Sequence, residues 1–276
     1  MKKHFTISML FLILGLTVFV SPAHTKQIMA HYMTFNQGDG TIFGMLISRK
    51  GVKYSLQENN VKRSILFRRK ETPSSLYILM PRQKRAQKIS RDDLKKTRMR
   101  LQRQVQQMRN SLKNLPPKQK KRMEQRLDKQ STLLSNEVET PEFMEEESDT
   151  WMGLPAKKGH LKNGSDSPIE VILLNESPLD LSLPEEQSFK SFNKLLVQWS
   201  TITNFSAGQK SGGKSVQNRL GELYLRLGKY TSTSGKTIKL TNWGSRQVKS
   251  SVFDVPDDYQ VRPLSKLLRS KSSPSR

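Results

Sequence analysis

The stretch Val61-Lys-Arg-Ser-Ile-Leu-Phe67 sets the fold class of this chain. Val61, Arg63, Ile65 and Phe67 alternate with Lys62, Ser64 and Arg68, which is the pattern of a half-buried β-strand. Further short segments rich in β-forming residues lie on both sides of it, and Gly, Asn and Pro separate them. The predicted strands are 28–35, 41–48, 52–56, 61–67 and 76–80. Their spacing predicts a meander of antiparallel hairpins.

Two of these strands carry apolar residues on both faces. In the second strand, Phe43, Met45 and Ile47 point opposite to Ile42 and Leu46, and the strand from Leu76 to Met80 has the same character. A sheet that is apolar on both faces needs a cover on its second side. We therefore expect helices or an apolar ligand against this sheet.

From Ser90 onward the apolar period changes from two residues to three or four. Ser90 and Asp93 resemble a capping box, which marks the start of a helix. Pro116-Pro117 ends this helix and opens another. The apolar stripes consist of Leu94, Leu101, Val105, Met108, Leu112 and Leu115, then of Met123, Leu127 and Leu134. The pattern predicts a helical hairpin over 90–135, or one long kinked helix.

The charge of this segment is unbalanced. Residues 91–134 hold fourteen Lys and Arg against four acids, whereas 137–149 hold seven acids and no base. We expect 136–150 to be an acidic linker. Two interpretations stay open: a solvated hairpin that the linker neutralises, or a polyanion-binding arm that the linker masks. The candidate contacts to an anionic surface are Lys95, Lys96, Arg103, Lys118, Lys120, Lys121 and Arg122.

β-structure is expected to resume after the linker. Segments 151–161 and 169–174 are predicted to form a strand pair, and Ser182-Leu-Pro-Glu185 is a capping box that opens a third helix. The apolar stripe of this helix consists of Phe189, Phe192, Leu196 and Trp199. Alternation at Leu223, Leu225 and Leu227 predicts a strand that pairs with 237–243.

The N-terminus has the pattern of a Sec signal peptide. Lys2 and Lys3 precede an apolar run from Phe5 to Val20, and Ser21-Pro22-Ala23 is a cleavage site of small residues. An uncleaved N-terminal anchor is the alternative. We expect residues 1–23 to be removed and the protein to reside in the periplasm of a Gram-negative bacterium.

Composition restricts the chemistry that the chain can perform. There is no Cys, which excludes thiol nucleophiles and Cys-ligated metals, and neither His31 nor His160 has a second ligand at metal spacing. Segment 208–215 fits the phosphate-loop pattern, but a helix precedes it and a strand pattern follows, so we expect a flexible loop and no bound nucleotide. We nominate no catalytic residue, metal or cofactor, and we expect no enzyme activity.

The net charge of +24 falls to +22 when Lys2 and Lys3 are removed. Outside the inner membrane, such a charge favours lipopolysaccharide phosphates, anionic lipid headgroups or extracellular DNA as partners. The charge indicates adhesion to an anionic surface without selecting one, and nucleic acid is not the expected partner.

Several segments resemble LolA-like periplasmic proteins. Residues 63–90 with Leu76-Tyr-Ile-Leu-Met-Pro81, and Met152-Gly-Leu-Pro155 followed by 169–174, resemble strand pairs of that superfamily. Val252-Phe-Asp-Val-Pro-Asp-Asp-Tyr259 resembles the F-x-V-P-x-x-Y ending of an uncharacterised branch, and Leu115-Pro-Pro-Lys-Gln resembles its helical insert.

The resemblance implies an α+β fold, in which an open, curved antiparallel half-barrel wraps around helices. This domain would span 24–262, interrupted by the basic hairpin and the acidic linker, with a disordered basic tail over 263–276. In the family's lipoprotein carriers the concave face receives acyl chains, so the implied function is non-enzymatic binding of a lipid, a lipoprotein acyl chain or another apolar ligand. The alternative is an envelope interaction module that uses the hairpin. The candidate cavity residues are Phe43, Met45, Ile47, Ile65, Phe67, Leu76, Ile78, Phe189, Phe192 and Trp199.

Overall fold

A computed structural model describes residues 26–58, 61–112, 116–134, 142–162, 168–206, 221–231 and 235–264. The described part of the chain forms a mixed α+β structure with one large sheet and three α-helices. The helices are α1 (Arg91–Ser111), α2 (Pro117–Leu134) and α3 (Leu183–Ser206). The first six strands are β1 (Gln27–Gln37), β2 (Ile42–Ser48), β3 (Gly51–Glu58), β4 (Val61–Arg68), β5 (Ser75–Met80) and β6 (Arg85–Ser90). The others are β7 (Glu142–Trp151), β8 (Leu154–Lys162), β9 (Ile169–Leu174), β10 (Leu227–Thr231), β11 (Thr237–Lys249) and β12 (Gln260–Pro263).

The twelve strands form one open sheet in the order β12-β6-β5-β4-β3-β2-β1-β11-β10-β9-β8-β7. All neighbours are antiparallel except β12 and β6, which are parallel. The two outermost strands, β12 and β7, do not pair with each other, so the sheet is not closed. The predicted meander is confirmed over β1 to β5, where each strand pairs with the next one in sequence.

One side of the sheet, which we call the helix side, is covered by helices. Helix α3 packs directly on β2, β3 and β5. Helices α1 and α2 contact each other and α3, so they form a second layer. Of the two predicted arrangements, a helical hairpin or one long kinked helix, the structure shows two separate helices in contact, and we call α1 and α2 together the hairpin. Its apolar residues Leu94, Leu101, Val105, Leu112 and Leu127 are buried in the main core.

The predicted helix starts are confirmed at two serines. At α1, the side chain of Ser90 accepts a hydrogen bond from the N–H of Asp93, whose carboxylate accepts one from the N–H of Ser90. Before α3, the N–H and the hydroxyl of Ser182 both donate to Glu185 Oε2, at 2.9 and 2.6 Å. These bonds satisfy groups that a helix start leaves unpaired.

Contacts of Trp151 show that the sheet curves strongly toward its helix side. Trp151 ends the edge strand β7, yet its Nε1 donates to the carbonyl of Leu240 at 3.4 Å. Leu240 belongs to β11, which lies four strands away in the sheet. The indole also lies against Gly228 of β10, where an added Cβ would come within 2.9 Å of Trp151 Cγ. Only a curled sheet brings its edge back over these strands.

The opposite side of the sheet is crossed by the C-terminal segment, residues 250–263, which we call the strap. It begins with a 3-10 helix, Ser250–Phe253, and ends as β12 beside β6. Phe253 is fully buried with Ile28 and Ala30 of β1. Val255 and Tyr259 pack on a second cluster formed by Leu66, Tyr77, Leu79 and Ala86. The segment that resembles a family ending therefore covers the second face of the sheet.

Two predictions are wrong and several lie outside the described residues. The predicted linker 136–150 is a strand from Glu142 onward, and Gly221–Arg226 is a 3-10 helix, so that β10 begins only at Leu227. The signal peptide (1–23), the loop 208–215 and the tail beyond Leu264 lie outside the described residues.

Candidate functional site

All ten apolar residues predicted to line a cavity lie in one cluster on the helix side. Six of them are buried and four are half-buried against the cluster. The buried ones are Met45, Ile47, Phe67, Leu76, Phe189 and Phe192, and the half-buried ones are Phe43, Ile65, Ile78 and Trp199. The sequence analysis thus selected residues that the fold brings together, from the three strands β2, β4 and β5 and from helix α3.

Aromatic side chains of α3 fill the space between this helix and the sheet. The side chains of Phe189 and Phe192 are 1% and 0% exposed, and the ring of Phe192 lies 6.5 Å from that of Phe67 on β4. Such contacts are those of a packed core. An acyl chain would have to share this space with the two rings or displace α3.

One row of the helix side is less completely covered. Tyr54, Ile65 and Ile78 stand opposite one another on β3, β4 and β5, and all three are half-buried. The Tyr54 hydroxyl is hydrogen-bonded to that of Tyr224, whose ring lies 5.0 Å from Phe35. Burial raises the pKa of both tyrosines. This row is one part of the helix side whose side chains are not fully buried.

A chain of polar contacts, in which His31 and Glu185 are buried, connects the start of α3 to the centre of the sheet. Nδ1 of His31 lies 2.9 Å from Ser245 Oγ, and its Nε2 lies 3.4 Å from Glu185 Oε2. Ser245 stands directly opposite His31 in the β1–β11 ladder, so this contact follows from strand register. Glu185 also accepts both bonds from Ser182 at the helix start. These contacts position α3 on the sheet.

Arg69 on the other flank holds the same end of α3. Its guanidinium donates to the carbonyl of Pro184 at 3.0 Å and to Gln187 Oε1 at 2.9 Å. The N-terminal end of α3 is therefore fixed by polar groups from β1 and from the loop after β4. These contacts are few and local, in contrast to the apolar packing farther along the helix.

The hairpin presents a strongly basic surface to solvent. Of the seven predicted cations, Lys120 is half-buried and the others are exposed. None of the seven takes part in an ion pair among the described residues, whereas Arg109 and Asp128 bridge the two helices at 2.7 Å. The sequence analysis missed Arg100, which is also exposed and lies one turn after Lys96. We call the exposed cations Lys95, Lys96, Arg100, Arg103, Lys118, Lys121 and Arg122 the basic face.

The glutamates that follow the hairpin do not neutralise this face in the described structure. Glu145 pairs with Lys157 at 2.6 Å, Glu147 pairs with Lys158 at 2.8 Å, and Glu146 pairs with His160 at 2.7 Å. A β-bulge between Glu145 and Glu147 allows consecutive lysines, on opposite faces of β8, each to meet a glutamate. Residues 142–149 thus belong to a strand whose glutamates pair with β8. This contradicts the prediction that they form a linker that neutralises or masks the hairpin.

Among the described residues, no group of three or more His, Asp or Glu side chains is arranged to hold a metal ion. None of the described helices is both long and apolar enough to cross a membrane.

Comparisons with known proteins identify no family. No family model and no curated protein matches the sequence. Two solved structures of PNGF-II, in space groups P21 and C2, match 88% of this chain at 9% and 11% identity, each with a TM-score of 0.38. The chain spans about one third of the length of those proteins. At this level of similarity the match carries no argument about fold or function.

Proposed function

We propose that this chain is an exported, non-enzymatic binding protein of the periplasm that attaches to an anionic surface of the cell envelope through the basic face. The observation that carries the proposal is the position of the charge. The hairpin is anchored by its apolar stripe on α3, and the seven exposed cations of the basic face have no carboxylate partner among the described residues.

The energetic argument for binding rests on the number of free cations. Each Lys or Arg held near an anionic membrane surface contributes about 1 kcal/mol, and the attraction decays within a Debye length. The basic face holds Lys95, Lys96, Arg100 and Arg103 on α1, and Lys118, Lys121 and Arg122 on α2. Because ion pairs do not compensate these groups, their charge is available to a partner.

The test is co-sedimentation of the periplasmic protein with vesicles containing about 30% anionic lipid, over salt from about 50 to about 300 mM. The double variant Lys96→Gln/Arg103→Gln removes two charges from the basic face. The matched control Lys239→Gln/Lys249→Gln removes two exposed charges from β11, on the sheet. We expect the hairpin variant to lose roughly twenty- to thirtyfold in affinity at low salt, and the control to lose far less.

Equal losses in the two variants would show that net charge alone, and not the hairpin, determines binding, and would overturn the proposal. Binding that is insensitive to salt would also contradict it, since exposed charges are screened. Circular dichroism of each variant checks that the hairpin remains folded, which we expect because the substituted side chains are exposed.

For the fold, we propose that the open sheet is a LolA-like half-barrel. Two observations support this assignment: the strong curvature indicated by Trp151, and the position of the F-x-V-P-x-x-Y segment as a strap across the second face. An experimental structure tests this assignment, and its superposition on the half-barrel of a lipoprotein carrier would support it. A sheet of different strand order would overturn it.

A second candidate function is binding of a lipid, a lipoprotein acyl chain or another apolar ligand on the helix side. The half-buried row of Tyr54, Ile65 and Ile78 supports this candidate, because its apolar side chains retain contact with solvent. The packing of Phe189 and Phe192 in the same space weighs against it.

Native mass spectrometry of protein purified from the periplasm without detergent tests the second candidate. A discrete bound mass that resolves to a lipid or acylated species supports it. The variant Ile65→Gln should then lose that mass, because a polar side chain in the row disfavours an apolar ligand. A ligand-free mass that persists after incubation with envelope lipids would rule the candidate out.

A further inference from the structure

An exposed methionine lies at the centre of the cations of α1. Met99 is 45% exposed, although a methionine is usually buried. Lys95, Lys96 and Arg103 lie four residues before, three before and four after it, which places them around Met99 on one helix face. The side of α1 that faces solvent is therefore basic with an apolar centre.

The second helix extends this surface sideways. Lys118, Lys121 and Arg122 have the i, i+3, i+4 spacing of one face of α2, and all three are exposed. Helices α1 and α2 pack against each other and both rest on α3. Two helices side by side form a surface about 20 Å wide. Because the major groove of DNA is only about 12 Å wide and admits one helix, the two rows of cations could not enter it together.

The composition of the hairpin also disfavours single-stranded nucleic acid. Proteins that bind single strands stack the bases on aromatic side chains. Residues 91–134 contain no Phe, Tyr or Trp. The apolar side chain of Met99 among cations instead resembles the mixture of apolar and basic side chains on helices that lie in a membrane interface.

We propose that the partner of the basic face is the surface of an anionic lipid bilayer, with Met99 inserted at the boundary between headgroups and acyl chains. This inference rests on the proposed function and specifies its partner. Lys95, Lys96 and Arg103 contact lipid phosphates around the inserted side chain, and Lys118, Lys121 and Arg122 add a second row of phosphate contacts. The sheet and its strap then lie on the far side of α3 from the membrane.

Binding of the Met99→Ser variant to anionic vesicles and to a duplex of about 20 base pairs tests the proposal at one salt concentration. The expected result is a loss of about five- to tenfold toward vesicles, since an apolar contact is removed, and no change toward DNA. Met99→Leu should restore vesicle binding. Met29→Ser is the matched control, because Met29 is also exposed but lies on β1, and it should bind vesicles as the unmodified protein does.

A fluorescence measurement gives independent evidence of insertion. The three tryptophans of the chain, Trp151, Trp199 and Trp243, all lie outside the hairpin. The variant Met99→Trp therefore adds one reporter to the basic face, and the spectrum of the unmodified protein serves as its baseline. We expect its emission to shift to shorter wavelength on anionic vesicles and to be quenched by lipids brominated on the acyl chains.

The outcomes separate the two proposals. If Lys96→Gln/Arg103→Gln weakens vesicle binding but Met99→Ser does not, and Met99→Trp stays unshifted, the proposed function stands and membrane insertion is refuted. If the protein binds the duplex as tightly as the vesicles, and Met99→Ser changes neither affinity, nucleic acid is the better partner. If Lys96→Gln/Arg103→Gln weakens binding to neither the vesicles nor the duplex, the proposed function itself is refuted.

Discussion

The ammonium group of Lys50 lies 2.6 Å from Oδ2 of Asp254, although the two residues are 204 positions apart. The same ammonium group donates to the carbonyl of Ser250 at 3.0 Å, so one lysine holds both ends of the 3-10 turn that begins the strap. Arg68 Nη2 lies 3.6 Å from the other oxygen of Asp254. These contacts fix the strap to the loop after β2 and to the end of β4, where the strap passes from β11 toward β6.

Phe253 is expected to be the main apolar anchor of the strap. It is fully buried between the sheet and the strap, so Phe253→Ala removes its packing and leaves a cavity. We expect a loss of about 3–5 kcal/mol in the free energy of unfolding, measured in urea. Met29→Ala at an exposed position of the neighbouring strand should change stability little. A loss of unfolding free energy below about 1 kcal/mol for Phe253→Ala is typical of a surface substitution. It would show that Phe253 does not anchor the strap to the sheet.

Gly228→Ala is expected to displace the indole of Trp151. An added Cβ would come within 2.9 Å of Trp151 Cγ, and this contact belongs to the curvature of the sheet. We expect a shift in tryptophan fluorescence and a destabilisation of about 1–3 kcal/mol. Gly44→Ala is the matched control, because it adds the same methyl group on β2 with nothing within 4 Å. Identical behaviour of both variants would contradict the close approach.

Asp39, in the turn between β1 and β2, should titrate at unusually low pH. The hydroxyl and the N–H of Thr41 and the amide of Gln37 donate to its carboxylate and lower its pKa from 3.8 to about 2. Because the folded pKa lies below the ordinary value, the stabilisation is complete above about pH 4 and disappears as pH falls toward about 2. A carboxyl carbon NMR titration measures this value.

The contribution of the Thr41 hydroxyl can be isolated in the same titration. Thr41→Val removes the hydroxyl but keeps the backbone donor, so the pKa of Asp39 should move upward toward 3.8. Thr41→Ser should preserve the low value. If both variants titrate as the unmodified protein does, the hydroxyl is not the cause of the shift.

The acidic strand is expected to leave the basic face accessible. Since Glu145 and Glu147 pair with Lys157 and Lys158, Glu145→Gln/Glu147→Gln should change vesicle affinity by no more than about twofold, as expected of a distant screened charge. Asp257→Asn/Asp258→Asn in the strap removes two acids elsewhere and serves as the comparison. A large gain in affinity restricted to the β7 variant would restore the hypothesis of a masking acidic segment.

The sequence contained enough information to predict the meander and the helices. Strands β1 to β5 are short segments rich in β-forming residues with Gly, Asn or Pro between them, and each pairs with its sequence neighbour. Ser90 and Ser182 mark two helix starts by their spacing to Asp93 and Glu185. Signals of this kind are local, and therefore visible without knowledge of the fold.

Other elements could not be predicted from local patterns. Strand β7 is largely exposed as an edge strand, so its glutamates obscure the alternation that identifies a half-buried strand. The leucines at 223 and 225 alternate as in a strand, but only Tyr224 between them is buried, in a 3-10 helix. Both features depend on distant parts of the chain.

The candidate sites show the same division. The cavity residues and the hairpin cations were predicted, because apolar stripes and charge runs are visible in the sequence. The contact of His31 with Ser245 and Glu185 was not, because it requires the pairing of β1 with β11. The filling of the helix side by Phe189 and Phe192 likewise depends on how α3 crosses the sheet.

The position of β1 in the sheet has a consequence for folding kinetics. β1 pairs on one side with β2, the next strand in sequence, but on the other side with β11, so that His31 meets Ser245 across 214 positions. The two halves of the sheet can join only when the last quarter of the chain is present. Topologies that depend on such distant contacts fold slowly. The complete sheet therefore cannot assemble before β11 is available to pair with β1.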